Sequence, residues 1–183
     1  MPTISRSQRA LRWFTYPSQS PLYPSASLQT WLLDSGSLTA KLIKHSGGHF
    51  NVQVLRQVNT RASRSEALAL GIDFQQRCLV REVILRGKGQ PWVFARSVLP
   101  LSSLTGPLYH LRKRGNRSLG AFLFSQPHLK RSPIALSLIS RHHAYVPEEF
   151  LGDAQVWGRR SIFSIDNRPL LVSEVFLPGF PET

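Results

Sequence analysis

Residues 79–99 read LVREVILRGKGQPWVFARSVL, and this stretch decides the fold. Two segments rich in β-branched and aromatic residues, Leu79–Arg86 and Trp92–Leu99, flank the turn residues GKGQ at positions 87–90. Side chains of these types favour extended strands, and a short glycine-containing link joins antiparallel neighbours. The stretch therefore predicts a β-hairpin.

The same pattern recurs near the end of the chain. Trp157–Ile165 and Leu170–Leu177 are separated by DNRP at positions 166–169, which predicts a second hairpin. Apolar residues alternate with polar ones over Phe50–Val54, and Ile134–Ile139 is a further apolar segment, so each predicts a strand.

Helices are predicted over residues 28–33, 37–43, 107–114 and 119–124, and Ser37 has the position of a capping residue. Residues 61–70 look mobile, and residues 140–152 are predicted to form a long loop. Strands joined in hairpins, with helices between them, indicate an α+β fold: an antiparallel sheet of about six strands covered by helices on one side.

The chain has 183 residues, 42% of them hydrophobic and 18% charged, which indicates one globular domain over residues 1–183. Residues 1–27 carry Pro17, Pro21 and Pro24 and are predicted to form a loose N-terminal arm. Cys78 is the single cysteine, so a disulfide framework or a cysteine zinc site is not expected. No apolar segment approaches the ~20 residues of a membrane-spanning helix, and we expect a reducing, cytoplasmic setting.

The formal net charge of +13 points to an anionic partner. The basic runs at residues 112–114 and 159–160 are more typical of solvated surfaces than of phosphate contacts, and no nucleic-acid-binding motif accompanies them. His142 and His143 have no third ligand at useful spacing, so no metal site is predicted. Nucleic acid is therefore not the expected partner, and a small acidic metabolite stays open.

Three charged residues fall in phase with apolar neighbours two positions away: Arg81, Arg96 and Glu174. Alternate side chains of a strand share one face, so these charges point where a core is expected. A buried charge must be paired or must face a ligand. An internal ion pair is one interpretation. The excess of two arginines over one glutamate favours the other, a cavity that binds an anion.

Several ordered blocks of this sequence resemble the chorismate pyruvate-lyase family. The blocks are Arg81–Leu85, Gly89–Trp92, Ala95–Pro100, Leu104–Pro107, Ser118–Gly120 with Leu123–Phe124, Trp157–Ser161 and Pro169–Pro178. They span most of residues 79–178, and their order along the chain makes the resemblance specific.

The resemblance implies conversion of chorismate to 4-hydroxybenzoate and pyruvate, toward ubiquinone, without a cofactor or metal. It also implies a six-stranded antiparallel sheet with helical flaps over an internal cavity. Arg81 matches the arginine that grips the ring carboxylate, and Glu174 matches the carboxylate near the ring 4-hydroxyl. Leu119 matches a residue with a backbone contact, Arg96 is the other cavity arginine, and Leu38 lies near a flap position that closes over the ligand.

On this basis we expect Glu174 to assist proton removal from the ring and Arg96 to stabilise charge on the departing enolpyruvate. A concerted rearrangement without an enzymic base stays open. So do two other classes of protein: a non-catalytic domain that senses a small carboxylate, and a basic nucleic-acid-binding protein.

Overall fold

The predicted hairpin of residues 79–99 lies at the centre of the sheet. The structure is a computed structural model and describes residues 10–16, 22–113 and 115–182. Strands Arg77–Gly87 and Gln90–Pro100 pair in antiparallel fashion, and only Lys88 and Gly89 link them. Both linking residues have positive φ, 52° and 76°, the backbone form that matches the twist of hairpin strands. The hairpin prediction is confirmed.

In the described residues, eight strands form one antiparallel sheet. The strands are β1 (Phe14–Thr15), β2 (Phe50–Arg61), β3 (Arg77–Gly87), β4 (Gln90–Pro100), β5 (Lys130–Arg131), β6 (Ala135–Ile139), β7 (Val156–Ile165) and β8 (Arg168–Phe176). Their order across the sheet is β1-β6-β7-β8-β4-β3-β2, and β5 also pairs with β7. The second predicted hairpin is the pair β7 and β8.

Helices connect the strands, and most begin where a side chain caps them. The α-helices are α1 (Ala26–Leu32), α2 (Leu38–His45), α3 (Arg64–Leu70), α4 (Leu119–Phe124) and α5 (Glu148–Leu151). Short 3-10 helices span Leu101–Ser103, Gly106–Lys113 and Arg141–His143. Ser37 accepts a hydrogen bond from the backbone of Ala40, as its predicted capping role requires.

Two segments expected to be irregular are helical instead. Residues 61–70 contain α3, because Ser63 and Glu66 form a capping box that satisfies the free amide groups of its first turn. Residues 140–152 contain a 3-10 helix and α5, and Leu151 is buried against the sheet. The loop prediction for residues 140–152 is wrong, and residues 61–70, expected to look mobile, contain a capped helix.

The N-terminal arm is partly built into the fold. Residues 1–9 and 17–21 of the predicted arm lie outside the described residues. Phe14 and Thr15 form β1 and pair with Leu136 and Ala135 of β6, so the expectation of a loose arm does not hold for them. Helix α1 also begins within the arm, at Ala26.

Both faces of the sheet are covered, which corrects the expectation of one covered face. We call the face that carries Val83 and Ala95 the front face; it packs against α1 and α2. The back face carries Ile84, Phe94 and Val175, which pack with residues around α5, while α3 covers another part of this face. Apolar residues therefore occupy both sides of the central strands, and period-two alternation is weak there.

Strand β2 forms one edge of the sheet. It pairs with β3 over its whole length, with a register shift between Val54 and Arg56. Its burial pattern is mostly exposed, and Arg56 and Arg61 are exposed side chains on it.

A buried ion pair attaches α3 to the back face. Arg96 of β4 donates from Nε to Oε1 of Glu66 at 2.6 Å and from Nη2 to Oε2 at 3.1 Å. Its Nη1 also contacts the carboxylate of Glu82, its cross-strand neighbour on β3. Burial opposes ionisation of Glu66, but hydrogen bonds and charge from Arg96 outweigh it and lower the pKa of Glu66.

This pair should make stability depend on pH. A folded-state pKa below the unfolded value of about 4.3 means that the contribution of Glu66 is present above that pH and is lost as pH falls through the folded pKa. We expect Glu66→Gln to lower the free energy of unfolding by about 3 kcal/mol at pH 7, since Glu82 still accompanies Arg96. The difference from wild type should shrink in urea titrations below about pH 4.

The exposed Glu149→Gln is the matched control for this measurement. It should change the free energy of unfolding by no more than about 0.5 kcal/mol. A Glu66→Gln effect as small as that, or one that grows in acid, would contradict the ion-pair assignment.

Candidate active site

A cavity lies between the front face of the sheet and helices α2 and α4. Its walls include side chains from β3, β4, β7 and β8 as well as residues of the two helices. Its lining residues include Leu38, Arg81, Val83, Ala95, Ser97, Arg117, Leu119, Arg131, Arg159, Phe163, Val172 and Glu174.

Arg81 reaches into this cavity from the centre of β3. The residue is 4% exposed, and its Nη1 donates to Oε1 of Gln57 at 2.9 Å. Gln57 is its cross-strand neighbour on β2. The Nη2 atom lies 3.4 Å from the carbonyl oxygen of Arg117. These contacts help to hold the guanidinium in place at the wall of the cavity.

Glu174 enters the cavity from β8 and is paired with Arg159, its cross-strand neighbour on β7. The Nε atom of Arg159 donates to Oε2 of Glu174 at 2.7 Å. The side chain of Arg159 is 2% exposed and that of Glu174 is 17% exposed. Because Arg159 engages Oε2, the carboxylate is fixed in orientation and Oε1 is the oxygen available to a ligand.

Arg159 also anchors the segment that follows α1. Its Nη1 donates to the carbonyl oxygens of Trp31, Leu32 and Asp34 at 2.9, 3.2 and 2.7 Å. The last carbonyls of a helix lack intrahelical partners and favour a nearby cation. One guanidinium thus connects the carboxylate in the cavity to the end of α1 and to the turn that leads to α2.

Arg131 contributes a further guanidinium from β5. It donates from Nε to Oγ of Ser161 at 3.0 Å and from Nη1 to the carbonyl oxygen of Ser35 at 2.9 Å. Its guanidinium carbon lies 5.0 Å from the centre of the Phe163 ring. Burial, together with the neighbouring Arg159 cation, lowers the pKa of Arg131 to about 10.

Helices α2 and α4 meet above the cavity. Oγ1 of Thr39 and Oγ of Ser118 are 2.7 Å apart, and a Cβ atom on Gly120 would lie 2.9 Å from Thr39 Oγ1. Glycine therefore permits the close approach of the two helices. Leu38 of α2 and Leu119 of α4 lie next to this contact and line the cavity.

Four of the predicted site residues come together: Arg81, Glu174, Leu38 and Leu119 all line this one cavity. Arg96 does not, and its expected place there is wrong. Antiparallel pairing sets Arg81 opposite Ser97 and Arg96 opposite Glu82, and directly opposed side chains share a face. Arg96 therefore points to the back face, where Glu66 and Glu82 neutralise it.

Sequence reasoning missed three arginines of the cavity: Arg117, Arg131 and Arg159. Arg159 was assigned to a solvated basic run, although alternation along β7 sets it in phase with Trp157, Ser161 and Phe163. That phase was a usable signal. Arg131 lies on a strand of two residues, too short for any periodicity, so its place depends on the pairing of β5 with β7.

The charge of the cavity is strongly positive. Of its described lining residues, Arg81, Arg117, Arg131 and Arg159 are cationic and Glu174 is the one carboxylate. Within the described ranges, no cluster of three or more His, Cys, Asp or Glu side chains has the arrangement of a metal site. None of the helices in those ranges is long and apolar enough to cross a membrane. Fold and site together define an α+β protein with a cavity suited to a small organic anion.

Comparison with known proteins is consistent with this class. The family model for chorismate lyase matches residues 10–181, and the chain belongs to the chorismate lyase family. A protein of Pseudomonas fluorescens named "Probable chorismate pyruvate-lyase" is 40% identical, over 91% of this chain and 87% of its own. One of the same name from Methylococcus capsulatus is 42% identical, over 83% of this chain and 95% of its own.

Solved structures confirm the fold. The effector domain of PhnF from Mycobacterium smegmatis superposes with a TM-score of 0.57 at 18% identity, over 80% of this chain and 91% of that one. The C-terminal domain of the histidine utilization repressor from Pseudomonas syringae gives 0.52 at 13% identity, over 71% and 92%. At such identities the likeness concerns the fold alone.

The Arg159 contacts predict a large loss of stability when that side chain is neutral. Arg159→Met leaves Glu174 and the carbonyls after α1 without their donor, and should lower the free energy of unfolding by about 3–5 kcal/mol in urea titrations. The double variant with Glu174→Gln should cost less than the sum of the single changes, because it removes both charges.

Arg160→Met supplies the comparison, since Arg160 is the next residue and is half-buried beside Trp13. An Arg159→Met loss no greater than that of Arg160→Met would show that the Arg159 contacts contribute little to stability.

Proposed function

We propose that this protein is a chorismate pyruvate-lyase that forms 4-hydroxybenzoate, the aromatic precursor of ubiquinone, without a cofactor. The observation that carries the proposal is the placement of Arg81 and Glu174 in one cavity, on the same face of the sheet. Membership of the chorismate lyase family and the names of the relatives support it.

The protein has little covalent chemistry to perform in this reaction. Chorismate loses the proton on ring carbon C4, and the bond between C3 and the ether oxygen breaks. The ring becomes aromatic, and the departing enolpyruvate takes up a proton to become pyruvate. Aromatisation supplies the driving force, so orientation of the substrate is the main contribution required of the cavity.

Arg81 is proposed to bind the ring carboxylate. Its guanidinium is buried and lines the cavity, where it can donate charge-assisted hydrogen bonds to a carboxylate. A planar fork that binds both oxygens fixes the ring plane as well as its position. The apolar side chains Leu38, Val83 and Leu119 then enclose the ring.

Glu174 is proposed to contact the C4 hydroxyl through Oε1 and to assist removal of the C4 proton. Arg159 holds its other oxygen, which keeps the carboxylate aimed into the cavity. Leu119, the first residue of α4, is proposed to supply a backbone contact to the ligand. Leu38 is proposed to close over the ring from α2.

Arg81→Ala tests the binding role. It should weaken the affinity for 4-hydroxybenzoate by about 2–5 kcal/mol in calorimetric titrations, the scale for removing one partner of a buried charge pair. Arg77→Ala, on the same strand but solvent-exposed, should leave the affinity unchanged. Equal affinities of wild type and Arg81→Ala would show that the ring carboxylate binds in another part of the cavity.

Incubation with chorismate tests the activity, with formation of 4-hydroxybenzoate followed by chromatography. The wild-type protein should form product, and Glu174→Gln should lower kcat by about 100-fold or more while product still binds. Tight binding of chorismate without product would instead indicate a sensing domain.

Glu66→Gln is the matched control for Glu174→Gln. It also neutralises a buried carboxylate paired with arginine, but on the back face of the sheet. It should lose stability and keep its turnover. Near-normal turnover of Glu174→Gln would restrict Glu174 to positioning the substrate.

A further inference from the structure

Arg131 and Arg81 lie at opposite ends of the cavity. Arg81 is on β3 and Arg131 on β5, and strands β4, β8 and β7 lie between them. Four strand spacings correspond to about 19 Å between the two backbones, and both long side chains point inward from their ends. Glu174, on β8, lies between them and is paired with Arg159 of β7.

The guanidinium of Arg131 donates hydrogen bonds to neutral groups. The acceptors of its hydrogen bonds are the hydroxyl of Ser161 and the backbone carbonyls of Asp34 and Ser35. Among the described residues, no carboxylate forms an ion pair with Arg131 and no acceptor is bonded to its Nη2. Arg159 has Glu174 as its ion-pair partner. Arg131 is therefore a half-buried cation of the cavity that forms no ion pair with the described residues; Glu174 and Asp34 act on its charge only from a distance.

We propose that Arg131 binds the second carboxylate of the substrate, the one on the enolpyruvyl group. This inference rests on the proposed function, because only a dicarboxylate ligand needs a second cation. The order of groups across the sheet is Arg81, Glu174, Arg131. The order along chorismate is ring carboxylate, then the C4 hydroxyl with the adjacent C3 ether, then the enolpyruvyl carboxylate.

This assignment gives Arg131 the role that Arg96 cannot fill from the back face. It also separates substrate from product. Chorismate carries both carboxylates and engages both ends of the cavity, whereas 4-hydroxybenzoate carries one and engages Arg81 alone. Arg131 is thus a specificity residue for the dianion.

Two aromatic ligands test the assignment without turnover. 3-(Carboxymethoxy)-4-hydroxybenzoate carries a carboxylate on the C3 ether, and 3-(2-hydroxyethoxy)-4-hydroxybenzoate has a neutral group of similar size there. In calorimetric titrations the wild-type protein should bind the first about 10- to 100-fold more tightly, the scale of a charge-assisted hydrogen bond. Equal affinities for the two ligands would overturn the proposal.

Arg131→Gln should abolish this preference and leave the affinity for 4-hydroxybenzoate within about twofold, since the product makes no charge contact at that end. Arg131→Lys keeps the charge and should recover part of the preference. Lys130→Gln is the matched control: it removes a neighbouring exposed charge whose side chain points to the other face, and should keep the full preference.

The outcomes separate this inference from the proposed function. Equal losses for all three ligands in Arg131→Gln would show that Arg131 only supports the turn after α1, and would overturn the inference. A wild-type protein that forms 4-hydroxybenzoate but shows no ligand preference would overturn the inference alone. One that prefers the dicarboxylate but forms no product would overturn the lyase activity and leave the anion contact in place.

Discussion

The guanidinium of Arg159, in a residue 1% exposed, donates at once to Glu174 and to the carbonyl oxygens that follow α1. A buried ion pair of this kind is stable only when further hydrogen bonds accompany it, and the carbonyl oxygens of Leu32 and Asp34 accept such bonds from Nη1 of Arg159. The same guanidinium therefore holds the carboxylate in the cavity and the turn that leads from α1 to α2. If either Glu174 or the turn after α1 moved away, the buried guanidinium of Arg159 would lose hydrogen-bond acceptors, which is costly. The contacts of Arg159 therefore maintain the shape of the cavity.

Local patterns predicted the elements of this fold well. The hairpin of residues 79–99, the capped helix after Ser37 and the hairpin of β7 and β8 all follow from residue types and turn chemistry within a few positions. The α3 capping box was equally local, and Ser63 with Glu66 at the right spacing was a missed signal. The short strands β1 and β5 had no such signal, since two residues carry no periodicity.

The alternation of side chains within each single strand predicted only part of the site. Alternation placed Arg81 and Glu174 among apolar neighbours, and both line the cavity. The same argument applied to Arg96, but helices cover both faces, so an apolar neighbourhood does not identify the face. The register between β3 and β4 decides it, and a shift of one residue would exchange the two faces. Register depends on contacts between distant segments, which residue types along one strand do not specify.

The arginines of the cavity account for only part of the positive charge of the chain. Other arginines lie on the exposed edge strand of the sheet, where strands of other molecules could pair. Strand β2 is an edge twelve residues long, and an exposed edge offers its free backbone groups to any strand that approaches it. Arg56 and Arg61 stand exposed along it, on a chain with a formal net charge of +13. A second copy of the chain that paired with this edge would bring its arginines close to Arg56 and Arg61. Repulsion between these like charges disfavours aggregation through β2.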